Sequence, residues 1–231
     1  MPQYAVRVEL NGANFGGWDA VSADGGDIFF VDGRTGLPLY YWVESFDRER
    51  RYAVLWVRVD SVPAKGTVPV LMFYGGENPF RGQFHDPGKV FYYFNDFEGG
   101  SLQGMTVFGA SSWRVDSGGA QGLYAASGGP RTSGLRLEVD LPTQALVSFQ
   151  VKVSPGSARD ALIFRVDGVE RVRFSGGLDW GQFSFVAPAG TRTFEWVYVG
   201  GGGGRAWVDS VVVRPYVSPE PTVVFGEVAA G

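Results

Sequence analysis

The chain has 231 residues, a net charge of −4, no cysteine and a single histidine, with 35 glycines and 15% aromatic residues. Without cysteine there is no disulfide framework, thiolate nucleophile or cysteine-bound zinc, and an acidic balance with no Lys/Arg cluster argues against nucleic acid as a partner. Abundant glycine and aromatics with no long helix-period segment favour an all-β sandwich, and no apolar stretch reaches the length of a membrane span.

A first strand is predicted over residues 4–10, where Tyr4, Val6 and Val8 alternate with Ala5, Arg7 and Glu9 before an Asn11-Gly12 turn. The opening residues lack the basic and apolar regions of a signal peptide. The expectation is a mature or excised ectodomain with an added Met1, attached to a membrane only through segments absent from this chain. Trp18 stands between Gly17 and Asp19 in a loop-like setting and is one of two tryptophans singled out for ligand contact. Further strands are expected over 28–31, 39–44, 53–59 and 68–74, separated by Asp32-Gly33 and Pro63-Ala64-Lys65-Gly66 and closed by Gly75-Gly76. The order Asp27-Ile28, Leu-Tyr-Tyr-Trp-Val-Glu at 39–44, the 53–59 alternation and Tyr74-Gly75 resembles an uncharacterised bacterial and archaeal surface-protein family. It is a domain of unknown function, sometimes fused to TolQ-like proteins. The resemblance covers about residues 4–80 and implies surface location without a reaction.

Residues 81–90, within a stretch rich in Gly, Pro, Asn and Asp, read as a linker, with His85 facing solvent. A second module is predicted over 91–214. Residues 91–100 read Phe-Tyr-Tyr-Phe-Asn-Asp-Phe-Glu-Gly-Gly, and short strands follow around Trp113, at 135–139 and at 145–153. From 160 to 213 the pattern is strand after strand: 162–166 and 172–174 form a hairpin about Asp167-Gly168, Phe183 and Phe185 flank Ser184, and Phe194, Trp196 and Tyr198 share a face. Residues 200–204, all glycine, read as a flexible hairpin tip. The last strand is expected to place Trp207, Asp209, Val211 and Val213 on one side, so that an acid interrupts an apolar face. This order is similar to concanavalin-like and MAM-like lectin jelly-roll modules, except that the loop before the last strand holds only glycines. The tail from 215 to 231 is Pro-rich, and 222–228 is expected to return to the first module and complete it with a final strand.

Asp96 and Glu98 are two apart and point to one side of a strand. The lectin-like resemblance implies that acids of the opening strand and of the closing Trp-x-Asp strand hold a structural cation, which assigns Asp96, Glu98 and Asp209 to a metal site. Hard oxygen ligands, with carbonyls of a turn such as Gly118-Gly119, suit Ca²⁺. The competing reading has Asp96 or Glu98 capping a turn and Asp209 accepting backbone N–H groups. A laminarinase-type glycosidase needs three alternating acids where this chain aligns only two. Trp42, Trp56, Trp113, Trp196 and Trp207 default to core, leaving Trp180, between Asp179 and Gly181, as the second ligand candidate.

The sequence therefore points to a two-module all-β protein of jelly-roll-like sandwiches. The expected function is non-catalytic adhesion or recognition of a glycan or surface protein, in an extracellular or cell-surface setting. A second reading is a structural subunit of a pilus, filament or envelope lattice that self-assembles through edge strands 4–10 and 222–228. The third is a glycoside hydrolase.

Overall fold

The computed structural model describes residues 2–122, 124–129, 131–201 and 203–226. Strands dominate, and the chain forms two units: Met1–Phe91 with the chain from Val217 onward, and Tyr92–Tyr216.

The first unit contains β1 (Pro2–Asn11), β2 (Phe29–Asp32), β3 (Tyr41–Asp47), β4 (Tyr52–Ser61) and β5 (Val70–Phe73). One antiparallel sheet has the order β1-β4-β3, leaving β1 at an edge, and β2 pairs with β5 in a second. Period-two alternation sets the faces. Tyr4, Val8 and Leu10 of β1 and Ala53, Leu55, Val57 and Val59 of β4 turn into a core shared with Ile28, Phe30, Leu39 and Tyr41.

Residues 81–90 are not a free linker. They form two short helical turns, α1 (Arg81–Phe84) and α2 (Pro87–Val90), with Pro87 in the first turn of α2 and Asp86 capping it by accepting the Gly88 N–H at 2.9 Å. Phe84 packs against the core and Val90 is buried, so apolar side chains within a Gly- and Pro-rich stretch fix it to the first unit. His85 is exposed, as expected, yet its ring is held in place. Its Nε2 accepts the Val43 N–H at 3.3 Å, and its ring stands edge-on to Tyr41 at 5.2 Å.

The tail returns to this unit without the expected strand. Val217 packs against the core and Tyr4 donates its hydroxyl to Glu220 at 2.9 Å. Residues 222–226 form no strand, and 227 and 228 lie outside the described residues. Pro215, Pro219 and Pro221 remove three ladder donors ahead of the segment, and Val223, Val224 and Phe225 are all exposed instead of alternating. Of the two expected assembly edges, only β1 exists as a strand among the described residues.

The second unit is a jelly-roll sandwich built from β6 (Tyr93–Asn95), β7 (Thr106–Gly109), β8 (Arg114–Ser117), β9 (Tyr124–Gly128), β10 (Arg131–Leu141), β11 (Ala145–Ser154), β12 (Ala161–Val166), β13 (Val169–Ser175), β14 (Leu178–Ala187), β15 (Gly190–Gly201) and β16 (Arg205–Pro215). One sheet runs β13-β12-β15-β10-β7 and the other β14-β11-β16-β9-β8, with β6 also on β16. The inner faces meet where Phe149 of β11 packs edge-on to Trp196 of β15 at 5.4 Å and against Phe164 of β12 at 4.9 Å. Asp167 and Gly168, with φ of 53° and 77°, make the two-residue turn between β12 and β13.

The glycine run is not a hairpin tip, because β15 and β16 lie in opposite sheets and the run carries the chain between them. Its composition answers a packing need. Gly204 is buried, and a Cβ there would collide with the Tyr198 hydroxyl and the Asp160 carboxylate.

Candidate functional site

A bulge in β16 decides which side chains the second unit presents. On β11 the residues Val147, Phe149, Val151 and Val153 point inward. Register runs Val151↔Val208 and Gln150↔Asp209, then resumes as Ser148↔Val212, so Ser210 and Val211 together oppose Phe149. Ser210 takes φ of 50° to accommodate the extra residue. Consequently Val208, Val211 and Val213 all face the core, while Trp207 and Asp209 face outward. The expectation that Trp207, Asp209, Val211 and Val213 share a face is corrected: one inserted residue flips the two halves of the strand.

The outer face of the six-stranded sheet then carries a row. Lys152 of β11 pairs in register with Trp207 of β16, Trp207 with Ser127 of β9, and Ser127 with Arg114 of β8. On the other side of Lys152, β14 supplies Trp180 and Asp179, and Lys152 Nζ lies 2.9 Å from Asp179 Oδ1. Trp180 and Trp207 are both partly exposed. With one strand between them they stand roughly 10 Å apart. Gln150 and Gln182, paired in the next row, add amide donors and acceptors beside the two indoles.

At the β8-β9 edge the row opens into a cavity of about 270 Å³ lined by Ser111, Ser112, Arg114, Ser127, Gly128, Gly129 and Arg205. The Arg205 guanidinium lies 6.0 Å from the Trp207 ring centre. Asp116 faces both arginines, at 3.1 Å from Arg205 and 3.6 Å from Arg114. Its carboxyl is held below the usual range, first by the Ser117 N–H and then by the two guanidinium charges against its partial desolvation.

The expected metal site takes a different form. Asp209 is fully buried and its oxygens are occupied by donors: Oδ2 accepts the N–H groups of Ala120 at 2.7 Å and Gln121 at 3.2 Å, and Oδ1 accepts the Ser210 N–H at 2.6 Å and hydroxyl at 3.3 Å. Burial nevertheless raises its pKa, with these bonds opposing the rise. The Glu98 carboxylate reaches the same loop, lying where a Cβ on Gly122 would be, whereas Asp96 accepts the Glu98 N–H at 3.2 Å and caps its own turn. Among the described residues no three carboxylate or imidazole groups converge. The structure thus brings Asp209 and Glu98 to one loop and leaves Asp96 capping its own turn, with the Asp209 oxygens accepting N–H and O–H groups. Asp209 is a loop anchor, as the competing reading had it.

Trp18 is also corrected. It is 2% exposed in the first unit's core, with Nε1 donating to the Asn11 carbonyl at 3.2 Å and its ring edge-on to Phe15 at 5.1 Å, so it has no face to offer a ligand. The neighbouring Gly17 and Asp19 simulate a loop, but they belong to a one-turn 3-10 helix that presses the indole inward. The sequence assigns Trp207 to the core and gives no role to Lys152, Arg114 or Arg205. Their clustering depends on strand order, which brings 114, 127, 152, 180 and 207 side by side and leaves no local signature.

Residues 24–116 match the family described as Domain of unknown function (DUF2341). The match runs from the later part of the first unit into the opening strands of the second and overlaps the surface-family resemblance over 24–80. No curated protein matches the chain. Similar solved structures include TmCBM61 in complex with β-1,4-galactotriose, 22% identical with a TM-score of 0.44, covering 54% of this chain and 99% of that one. The CBM22-1 xylan-binding domain of Paenibacillus barcinonensis Xyn10C is 20% identical with a TM-score of 0.41, covering 54% and 93%. The CBM22-1-CBM22-2 tandem of the same protein is 16% identical with a TM-score of 0.46, covering 93% and 79%. These likenesses bear on the fold alone.

Proposed function

We propose that the second unit is a non-catalytic carbohydrate-binding module whose platform is the outer face of the six-stranded sheet. The observation that carries this reading is the row Trp180, Lys152, Trp207. Sugar rings present apolar C–H faces and polar hydroxyl edges. Two partly exposed indoles offer the matching apolar surfaces, and Lys152, Gln150 and Gln182 offer donors and acceptors at their margins. Large aromatics standing partly exposed among polar groups on a sheet face are informative in a way that scattered surface residues are not.

The carboxylates of this face support recognition over hydrolysis. A glycosidase general acid needs a raised pKa. Asp179 is held below the usual range, first by its bond to Lys152, and Asp116 is lowered as described. Asp209, the one carboxyl among the described residues whose pKa is raised, is sealed under the 118–122 loop. A glycan ligand accords with an extracellular or cell-surface setting, and no helix among the described residues is long and apolar enough to cross a membrane.

The test is affinity electrophoresis of the whole chain through gels containing a panel of plant and microbial polysaccharides. Retardation by at least one polymer, lost in Trp207→Ala with the fold intact by near-UV circular dichroism, is the expected result. Uniform mobility across the panel would sink the reading.

A further inference from the structure

Trp207 accounts for a sugar ring but not for the cavity beside it. Among the described residues, that cavity is lined by two arginines, three serines and two glycines, which make a donor-rich surface. Each guanidinium carries five N–H donors in a planar fork, and serine hydroxyls rotate to donate. Charge arithmetic gives the sign. Among the described residues, Arg114 and Arg205 share the carboxylate of Asp116, so two positive charges face one negative charge and the cluster keeps an excess of one. The Ser127 hydroxyl points toward Asp116 at 3.5 Å, and Ser111 accepts the Arg131 N–H at 3.2 Å, so the serines are fixed to the same rim.

Geometry adds continuity with the platform. Ser127 pairs in register with Trp207 on one side and Arg114 on the other, and Arg205 precedes Trp207 by two residues on the same face of β16. A ring stacked on Trp207 therefore has its next substituent directed at the arginines. At about 270 Å³ the cavity is below the usual range for drug-sized ligands and suits one sugar unit or its substituent.

From this we infer that the module selects acidic glycans: the Arg114–Arg205 cavity takes the oxyanion of a sugar, a uronate carboxylate or a sulfate ester, while its ring stacks on Trp207. The inference rests on the carbohydrate-binding reading and specifies its ligand class. Asp116 then has a second role. It holds the two guanidinium groups in place when no ligand is present and competes with the incoming anion.

The experiment compares charged and neutral polymers by affinity electrophoresis and titration calorimetry: polygalacturonate against galactan, and dextran sulfate against dextran, each at low and at raised salt. The expected result is at least about tenfold tighter binding of one acidic polymer than of its neutral counterpart, as one or two charge-assisted hydrogen bonds supply. The pair that responds identifies carboxylate or sulfate. Arg205→Gln and Arg114→Gln abolish this preference by weakening acidic binding much more than neutral binding, whereas Trp207→Ala weakens both alike. Asp116→Asn tightens acidic binding, which a merely structural Asp116 would not do. Equal affinity for acidic and neutral polymers, unchanged in the arginine variants, overturns the inference and leaves the platform standing. Absence of binding to every polymer removes both. Slower migration that Arg205→Gln and Trp207→Ala both leave untouched marks nonspecific charge attraction and also overturns it.

Discussion

Asp209 Oδ2 accepts the Ala120 N–H at 2.7 Å, tying the last strand of the second unit to the loop between β8 and β9. This bond links the outward-facing half of β16 to the segment that closes over it, and the bulge at Ser210 is what turns Asp209 toward that loop. The same bulge exposes Trp207. Platform and anchor are therefore consequences of one inserted residue.

Asp209→Ala removes the acceptor for three backbone N–H groups, of Ala120, Gln121 and Ser210. Partial access of water to the loop limits the cost to about 2 kcal/mol. Amide hydrogen exchange at Ala120 and Gln121 is expected to accelerate, with little change in the β10-β15 ladder. Protection at those two amides equal to that of the parent protein would show that the anchor is not used.

Calcium is testable at the same loop. To coordinate Asp209 and Glu98, Ca²⁺ has to displace the N–H groups of Ala120 and Gln121 from Oδ2. The expected outcome is a melting temperature that neither chelator nor added Ca²⁺ moves. A rise on titration, following the logarithmic dependence of ligand-linked stability, contradicts the anchor assignment and restores the cation.

The two tryptophans once paired as ligand candidates, Trp18 and Trp180, separate cleanly. Trp18→Ala empties a core site and should cost about 3–5 kcal/mol while leaving carbohydrate retention intact in whatever fraction remains folded. Trp180→Ala and Trp207→Ala act on partly exposed side chains and should change stability by less than about 1 kcal/mol while reducing retention. Denaturant melts paired with affinity gels distinguish the two patterns. Retention lost in Trp18→Ala at full folding is the result that contradicts this assignment.

His85 gives the first unit a pH dependence. Partial enclosure of the ring, and then the nearby Arg81 charge, lower its pKa below the ordinary 6.5, and neutral Nε2 is the acceptor for the Val43 N–H. The folded value lies below the unfolded one, so the contribution is complete above about pH 6.5 and is lost as pH falls through the lower folded value. His85→Gln should flatten the fall in melting temperature between pH 7 and pH 5. Identical slopes in the two proteins would exclude a role for this titration.

What could be read in advance follows period-two alternation. The Asp167-Gly168 hairpin, the inward set Phe194, Trp196 and Tyr198, and the all-β class are local or compositional signals, and the structure carries each of them. Trp207 was misfaced because alternation assumes an unbroken ladder, and nothing in Trp-Val-Asp-Ser-Val-Val-Val marks Ser210 as the extra residue. Trp18 was misplaced because its glycine and aspartate neighbours imitate an exposed loop. The Arg114–Arg205 cavity depends on strand order β8-β9-β16, a property of topology that residues 91 positions apart in the chain do not announce. The glycine run showed its composition but hid its cause, which is the close approach of Gly204 to Asp160 and Tyr198.

Asp160, like Asp209, is a fully buried acid of the second unit, and it lies beneath that crossover. Its carboxylate accepts the N–H groups of Gly156 at 2.7 Å, Ser157 at 3.2 Å and Gly201 at 3.2 Å, and the hydroxyls of Ser157 at 2.7 Å and Tyr198 at 2.9 Å. The Ser157 hydroxyl foremost, then the Gly156 and Gly201 N–H groups and the Tyr198 hydroxyl, outweigh its desolvation and hold the carboxyl well below the ordinary range. With the folded pKa depressed, the contribution is fully present above the unfolded value of about 3.9 and is lost as pH drops below it. In either orientation the amide N–H₂ of Asp160→Asn faces at least one backbone N–H, which can only donate, so the second unit should melt at least about 5 °C lower at pH 7. Its stability should also depend less on pH below about 4 than that of the parent. Ser157→Ala, which removes one of the five donors and keeps the carboxylate, should shift both quantities in the same direction by less. A parent-like acid transition in Asp160→Asn would mean that another group sets the acid limit of the fold.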